Sequence, residues 1–233
     1  MTRFSLPSSA ATLFQATPTQ IKIPFDEVLR YMGFQRGYRL SPSEQELVAA
    51  ALRDFEAVVS YRACACRMPL LAEDGLVDFG AFRLDSANLA ANLRGCREGI
   101  VFAATVGIEA DRQRMRASLS SVTKALVLEA AGTAAVEALC NALCADWAEA
   151  LSARGLFLRP RFSPGYGDLP LTAQIPLLQT LNSFRTVGIS VTPELLMIPK
   201  KSVSAIVGIG EDGCRQNVQA CELCPNTACL FRR

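Results

Sequence analysis

Arg159-Pro160-Arg161-Phe162-Ser163-Pro164-Gly165-Tyr166-Gly167-Asp168-Leu169-Pro170 interrupts a chain otherwise rich in apolar runs. Proline fixes φ and removes a donor, and glycine permits φ > 0 and lets a ligand approach the backbone. This stretch therefore cannot continue a helix or a central strand. It predicts a shaped loop with Pro164-Gly165 as its tight turn. Arg161 brings a planar fork suited to a carboxylate or phosphate. Tyr166 brings a flat apolar face with a polar tip. An ordinary Pro/Gly connection with a solvated Arg would have the same composition.

Immediately upstream, the Ala- and Leu-rich residues 122–153 predict one long helix. A wheel at about 100° per residue places Lys124, Asp146 and Glu149 within about 60° of one another, marking a wet face. Glu137 falls about 180° from Asp146, and Glu129 about 80° from Glu137 on the same far side. A carboxylate on an inner face needs a partner. That partner is either an internal ion pair or cap, or a cationic ligand. Cys140 and Cys144 lie one turn apart on the same helix and read as core thiols.

Downstream, Leu177, Leu178, Leu181 and Phe184 have helical spacing within residues 171–187, with Gly188 as a stop. Thr192-Pro193-Glu194 predicts a cap for a short helical turn carrying Leu195 to Met197. Residues 202–209 predict a strand, as do 99–108, while 109–120 predict a helix. Farther upstream, residues 59–69 predict a strand bearing Cys64 and Cys66. Ser41-Pro42-Ser43-Glu44 spells a capping box with proline at the first helical position, opening a helix to about Val59. Residues 23–33 predict a short helix closed by Gly33. Residues 1–19, rich in Ser, Thr, Ala and Pro, predict a mobile tail.

The whole chain has 233 residues, half of them hydrophobic, and a net charge of only +2. That suits one globular domain with appendages and gives no electrostatic footprint of a nucleic-acid binder. No run of about 20 uninterrupted apolar residues predicts a membrane span, and no secretory signal is read at the N-terminus, so a cytoplasmic location is expected. The chain has no histidine. Ser-His and Cys-His catalysis and histidine metal sites are excluded.

Nine cysteines in a cytoplasmic protein should be reduced, metal-bound or reactive rather than paired. Cys214, Cys221, Cys224 and Cys229 cluster in the last 20 residues. Four closely spaced thiols suit tetrahedral ligation of zinc or of an iron–sulfur cluster, although labile or redox-sensing thiols fit the same pattern. The chain divides into a tail (1–19), a domain (20–211) and a Cys-rich tail (212–233).

Arg161-Phe162-Ser163-Pro164-Gly165-Tyr166 resembles the R-P-A-P-G-Y motif of the activation domain of cobalamin-dependent methionine synthase. Thr192 to Ala205, reading T-P-E-L-L-M-I-P-K-K-S-V-S-A, resembles that family's L-T-E-S-F-A-M-W-P-G-A-S-V-S-G, and Val136-Glu137-Ala138-Leu139 resembles its A-E-A-F. The chain as a whole is similar to small stand-alone relatives of that domain. The resemblance implies an α+β fold with helices around a twisted, mainly antiparallel sheet. It implies binding of S-adenosylmethionine, with Arg161, Ser163, Gly165 and Tyr166 as loop contacts and Glu137 as the acidic contact. A further acidic contact would fall on Asp26 or Glu27.

The implied role is methyltransferase-class: reductive remethylation of the cobalamin carried by a separate methionine synthase or related corrinoid protein, in methionine biosynthesis. The electron would come from a flavodoxin- or ferredoxin-type donor. A non-catalytic S-adenosylmethionine-binding partner or sensor, and an electron-transfer activator with a cluster in its tail, are the alternatives. Two departures stand out. No clear match exists for the family's C-terminal tyrosine contact, and no corrinoid-binding D-x-H-x-x-G motif is present.

Overall fold

The computed structural model describes residues 3–35 and 37–211. Its centre is a five-stranded antiparallel sheet in the order β1 (Thr12–Ala16), β2 (Tyr61–Pro69), β6 (Glu98–Thr105), β10 (Ser202–Gly210) and β7 (Phe157–Leu158). Successive side chains on a strand point to opposite faces, and both faces of this sheet are covered. Tyr61, Ala63, Ala65, Ile100, Phe102, Ala104, Ala205, Val207 and Ile209 enter one apolar cluster. Cys64, Cys66, Val101, Ala103 and Ile206 enter the other. Double burial is why these strands read as continuous apolar runs rather than alternating ones.

The first face is covered by α5 (Val122–Ser152), whose small residues Ala131 and Ala135 let the helix lie close to the strands. Behind α5, through Val127, Ala130 and Ala134, pack α1 (Phe25–Tyr31) and α2 (Pro42–Glu56). Helix α4 (Ile108–Ser118) lies alongside it. By length and composition α5 could cross a membrane, yet 67% of its apolar window is buried inside the fold. It is the core helix of the domain.

The second face carries α3 (Ala87–Asn92), α6 (Gln174–Thr180) and α7 (Ser183–Val187). A small sheet, β3 (Leu71–Glu73), β4 (Leu76–Asp78) and β5 (Arg83–Asp85), completes it. Together the layers make an α+β domain of helices around an antiparallel sheet.

The capping box forms as the residues predict: the Ser41 backbone N–H donates to Glu44 Oε2 at 2.7 Å, and the Glu44 N–H donates to Ser41 Oγ. Four expectations are corrected. Residues 3–19 are no mobile tail. Phe4 and Phe14 are buried, β1 pairs along β2, and the Arg3 and Phe4 N–H groups donate to Asp146 at 2.8 and 2.9 Å. Asp146 is therefore buried, 6% exposed, not on a wet face. The single amphipathic helix over 171–187 is a 3-10 turn (Leu171–Ala173) followed by α6 and α7, broken where Asn182 takes φ +46°. The helical turn expected after Thr192 is instead a hairpin of β8 (Ser190–Val191) and β9 (Met197–Ile198), turned at Leu195 with φ +65°. The Cys-rich tail lies outside the described residues.

Candidate functional site

Beyond β7 the chain continues beside β10. The Arg159 N–H donates to the Gly208 carbonyl, and Phe162 and Ile206 exchange both backbone hydrogen bonds. Phe162 packs against the α3/α6 side, and Arg161, its neighbour on the pleat, faces α5. There its guanidinium meets Glu137 Oε2 at 2.9 Å and Asn141 Oδ1 at 2.8 Å. Glu137 and Asn141 are one helical turn apart, so a single Nη2 reaches both. The pair is neither sealed nor fully wet: the Arg161 and Glu137 side chains are 24% and 29% exposed.

The neighbourhood is electrostatically graded. Burial works to lower the Arg161 pKa, but the adjacent Cys140, Glu137 and Cys144 outweigh it, and the guanidinium is held even more firmly protonated than usual. Burial pushes both thiols up, Cys144 to about 11 and Cys140 beyond that, with Arg161 opposing the shift in each. Tyr31 at the end of α1 is also raised, by burial first and then by the nearby Glu137 charge. Its ring stacks under the Arg30 guanidinium at 4.2 Å, and Arg30 pairs with Glu27 at 2.7 Å. Of the two N-terminal acids considered, Glu27 is thus engaged with Arg30 beside the cluster, and Asp26 is exposed. Two ion pairs, Glu27–Arg30 and Glu137–Arg161, thus lie on either side of Tyr31. The second, partly exposed, suits a ligand carrying both an ammonium and a carboxylate.

Ser163, Gly165 and Tyr166 form the next part of the loop. Gly165 adopts φ +89°, donating its N–H to the Leu169 carbonyl, and the Tyr166 N–H donates to the Ser163 carbonyl at 3.1 Å. The Tyr166 ring is 68% exposed. The structure therefore joins Arg161 to Glu137 directly and leaves Ser163, Gly165 and Tyr166 as an open turn following the ion pair.

Glu129, the other carboxylate the wheel places on the inner side, is half-exposed and held by Lys201 and by Arg114 at 3.3 Å. The Lys201 stem crosses α5 at Gly132, where a Cβ would come within 2.9 Å of its Cγ, and its ammonium reaches Thr133 at 2.8 Å. Glu129 is a clamp between layers. Asn141 and Tyr31 were not found by sequence reasoning. Asn141 could have been, as the residue one turn beyond a singled-out carboxylate. Among the described residues no group of three His, Cys, Asp or Glu side chains could hold a metal, and Cys214, Cys221, Cys224 and Cys229 lie outside them.

No family model and no curated protein matches the chain. Among solved structures it is similar to a crystal structure of the MetH reactivation domain bound to AdoHcy, with a TM-score of 0.65 and 14% identity. The match covers 88% of this chain and 81% of that one. The two share a fold.

Proposed function

We propose that the chain binds S-adenosylmethionine at the Arg161–Glu137 cluster and serves the reductive remethylation of cobalamin held by a separate corrinoid protein, with methionine synthase as the expected partner. One observation carries this. A chain with the fold of a reactivation domain that binds AdoHcy sets a partly exposed cation and carboxylate side by side, at the start of a Gly/Pro loop. Arg161 would bind the methionyl carboxylate through its fork, and Glu137 the ammonium. Asn141, already accepting from Arg161, would hold the guanidinium in place when Glu137 turns to the ligand. Gly165 gives the loop backbone room for close approach. S-adenosylmethionine itself supplies an electrophilic methyl group; the residues of this chain bind and orient it.

The electron donor would be a flavodoxin or ferredoxin type, and the four tail cysteines are proposed as ligands for zinc or an iron–sulfur cluster. A cytoplasmic setting suits this chemistry.

Calorimetric titration of S-adenosylmethionine into the protein, with Arg161→Ala alongside, tests the site. The variant is expected to lose about 1.5–3 kcal/mol of binding free energy, the range for a hydrogen bond to a charged group. Equal affinity in the two proteins would remove Arg161 from the ligand.

A further inference from the structure

Asp168 lies at the far end of the loop and belongs to none of the interactions described above. Its carboxylate reaches across 80 residues of chain to the start of α3. It accepts the Ser86 hydroxyl, the Ala87 N–H at 2.8 Å and the Asn88 N–H at 3.2 Å. Ser86 is at once the cap of that helix, taking the Leu89 N–H at 3.0 Å. The Ser86 hydroxyl, with the backbone donors, holds the Asp168 carboxyl below its ordinary range.

The neighbouring Gly167 is seated just as tightly. It takes φ +54°, and a Cβ there would come within 2.5 Å of the Asn88 side-chain nitrogen. On the other side of Asp168, Leu169 is buried and its backbone closes the turn, its carbonyl accepting from Gly165 and its N–H donating to Tyr166. The loop therefore has two fixed ends. Phe162 is bonded to β10, Asp168 is bonded to α3, and Ser163 to Gly167 span the gap between them.

We infer that Asp168 is a positioning residue: it docks the loop onto α3 and holds the Gly165–Tyr166 backbone in the shape that receives the ligand. The inference builds on the binding site proposed above. A loop already ordered in its bound form loses less conformational freedom on binding, so its anchor raises affinity without touching the ligand.

Two readouts separate the anchor from the site. Hydrogen exchange of the segment 162–170 is followed in ligand-free protein, and S-adenosylmethionine affinity is measured calorimetrically, in wild type, Asp168→Asn and Ser86→Ala. The asparagine keeps the size of the side chain but turns an amide toward backbone donors. Ser86→Ala weakens the same contact from the α3 side and leaves the loop sequence intact. Both variants are expected to speed exchange in this segment by about tenfold or more, with β2 and β6 still protected. Both should also weaken binding by about tenfold, the loss expected when preorganisation is removed. Unchanged loop exchange in both variants would overturn the anchor. Faster exchange with unchanged affinity would overturn its positioning role. Wild-type protein that binds no ligand would instead sink the proposed function, and loop exchange would still decide whether Asp168 docks the loop.

Discussion

Glu137 and Asp146 sit nine residues apart on opposite sides of α5; the first finds the ion-pair partner that a helical wheel calls for, and the second is buried where the wheel expects solvent. The wheel groups Asp146 with Lys124 and Glu149 as solvated, and puts Glu137 inside. In the structure Asp146 is buried beneath the N-terminal segment, accepting the Arg3 and Phe4 N–H groups, with Trp147 Nε1 donating to the Ser5 carbonyl beside it. Glu137 meets a side chain, Arg161, at a partly open position. A wheel reports which residues oppose each other. It does not report what the rest of the chain lays over each face. Asp146 Oδ2 takes two fixed backbone donors in a buried position, with Arg3 Nε at 3.8 Å, while Glu137 faces a cation at a partly open position, where a ligand can share it. The first arrangement holds a fold together; the second suits recognition.

The sharpest way to break this contrast is Asp146→Ala. It leaves two backbone donors without their acceptor beneath a buried Phe4, and is expected to cost about 2–3 kcal/mol of unfolding free energy. Chemical denaturation measures this directly. A loss under about 0.5 kcal/mol, the range of an ordinary surface change, would mean that the segment is not held by Asp146.

Glu137→Gln is the counterpart. A partly exposed ion pair contributes less than about 1 kcal/mol to stability, so the unfolding transition should barely move. S-adenosylmethionine affinity should fall by about tenfold, the loss of one charge-assisted contact. If Glu137→Gln destabilised the protein as much as Asp146→Ala, the two carboxylates would both be structural and the contrast would fail.

What the sequence makes legible follows the range of the interactions. The Ser41–Glu44 capping box, α5 and the three central strands are announced by local chemistry or by long apolar runs. β1 is not, because a five-residue strand among Ser, Thr and Pro is stabilised by pairing with Tyr61 to Ala65, far along the chain. The breaks at Asn182 and Leu195 are hidden for a related reason. Both are non-glycine residues at positive φ, a conformation that asparagine tolerates and leucine rarely adopts, and the Leu195 carbonyl is bonded by the distant Gln174 side chain. At the site, Glu137 and Arg161 stand out as a charge in an Ala-rich helix and a cation in a Pro/Gly loop. Asn141 is marked only by its place one turn beyond Glu137, and Tyr31 not at all, since a neutral polar side chain signals no burial until its partner is known. Asp168 reads as an ordinary turn residue because its partners Ser86, Ala87 and Asn88 lie so far upstream.

Cys144, between the two carboxylates on α5, offers the finest probe of the difference between the faces. Burial pushes its thiol up to about 11, and the Arg161 charge pulls against that shift. The thiolate is the reactive form, so a raised pKa keeps the group protonated and slow at neutral pH. Native-state alkylation followed by peptide mapping should therefore show Cys144 nearly unmodified at neutral pH, with a rate that climbs as pH approaches 11. In Arg161→Ala the opposing charge is gone. The pKa rises further, and the Cys144 rate at any given alkaline pH falls by a few-fold rather than increasing. A faster rate in that variant would mean that Arg161 shields the thiol sterically, and that the open side of α5 is governed by access rather than by charge.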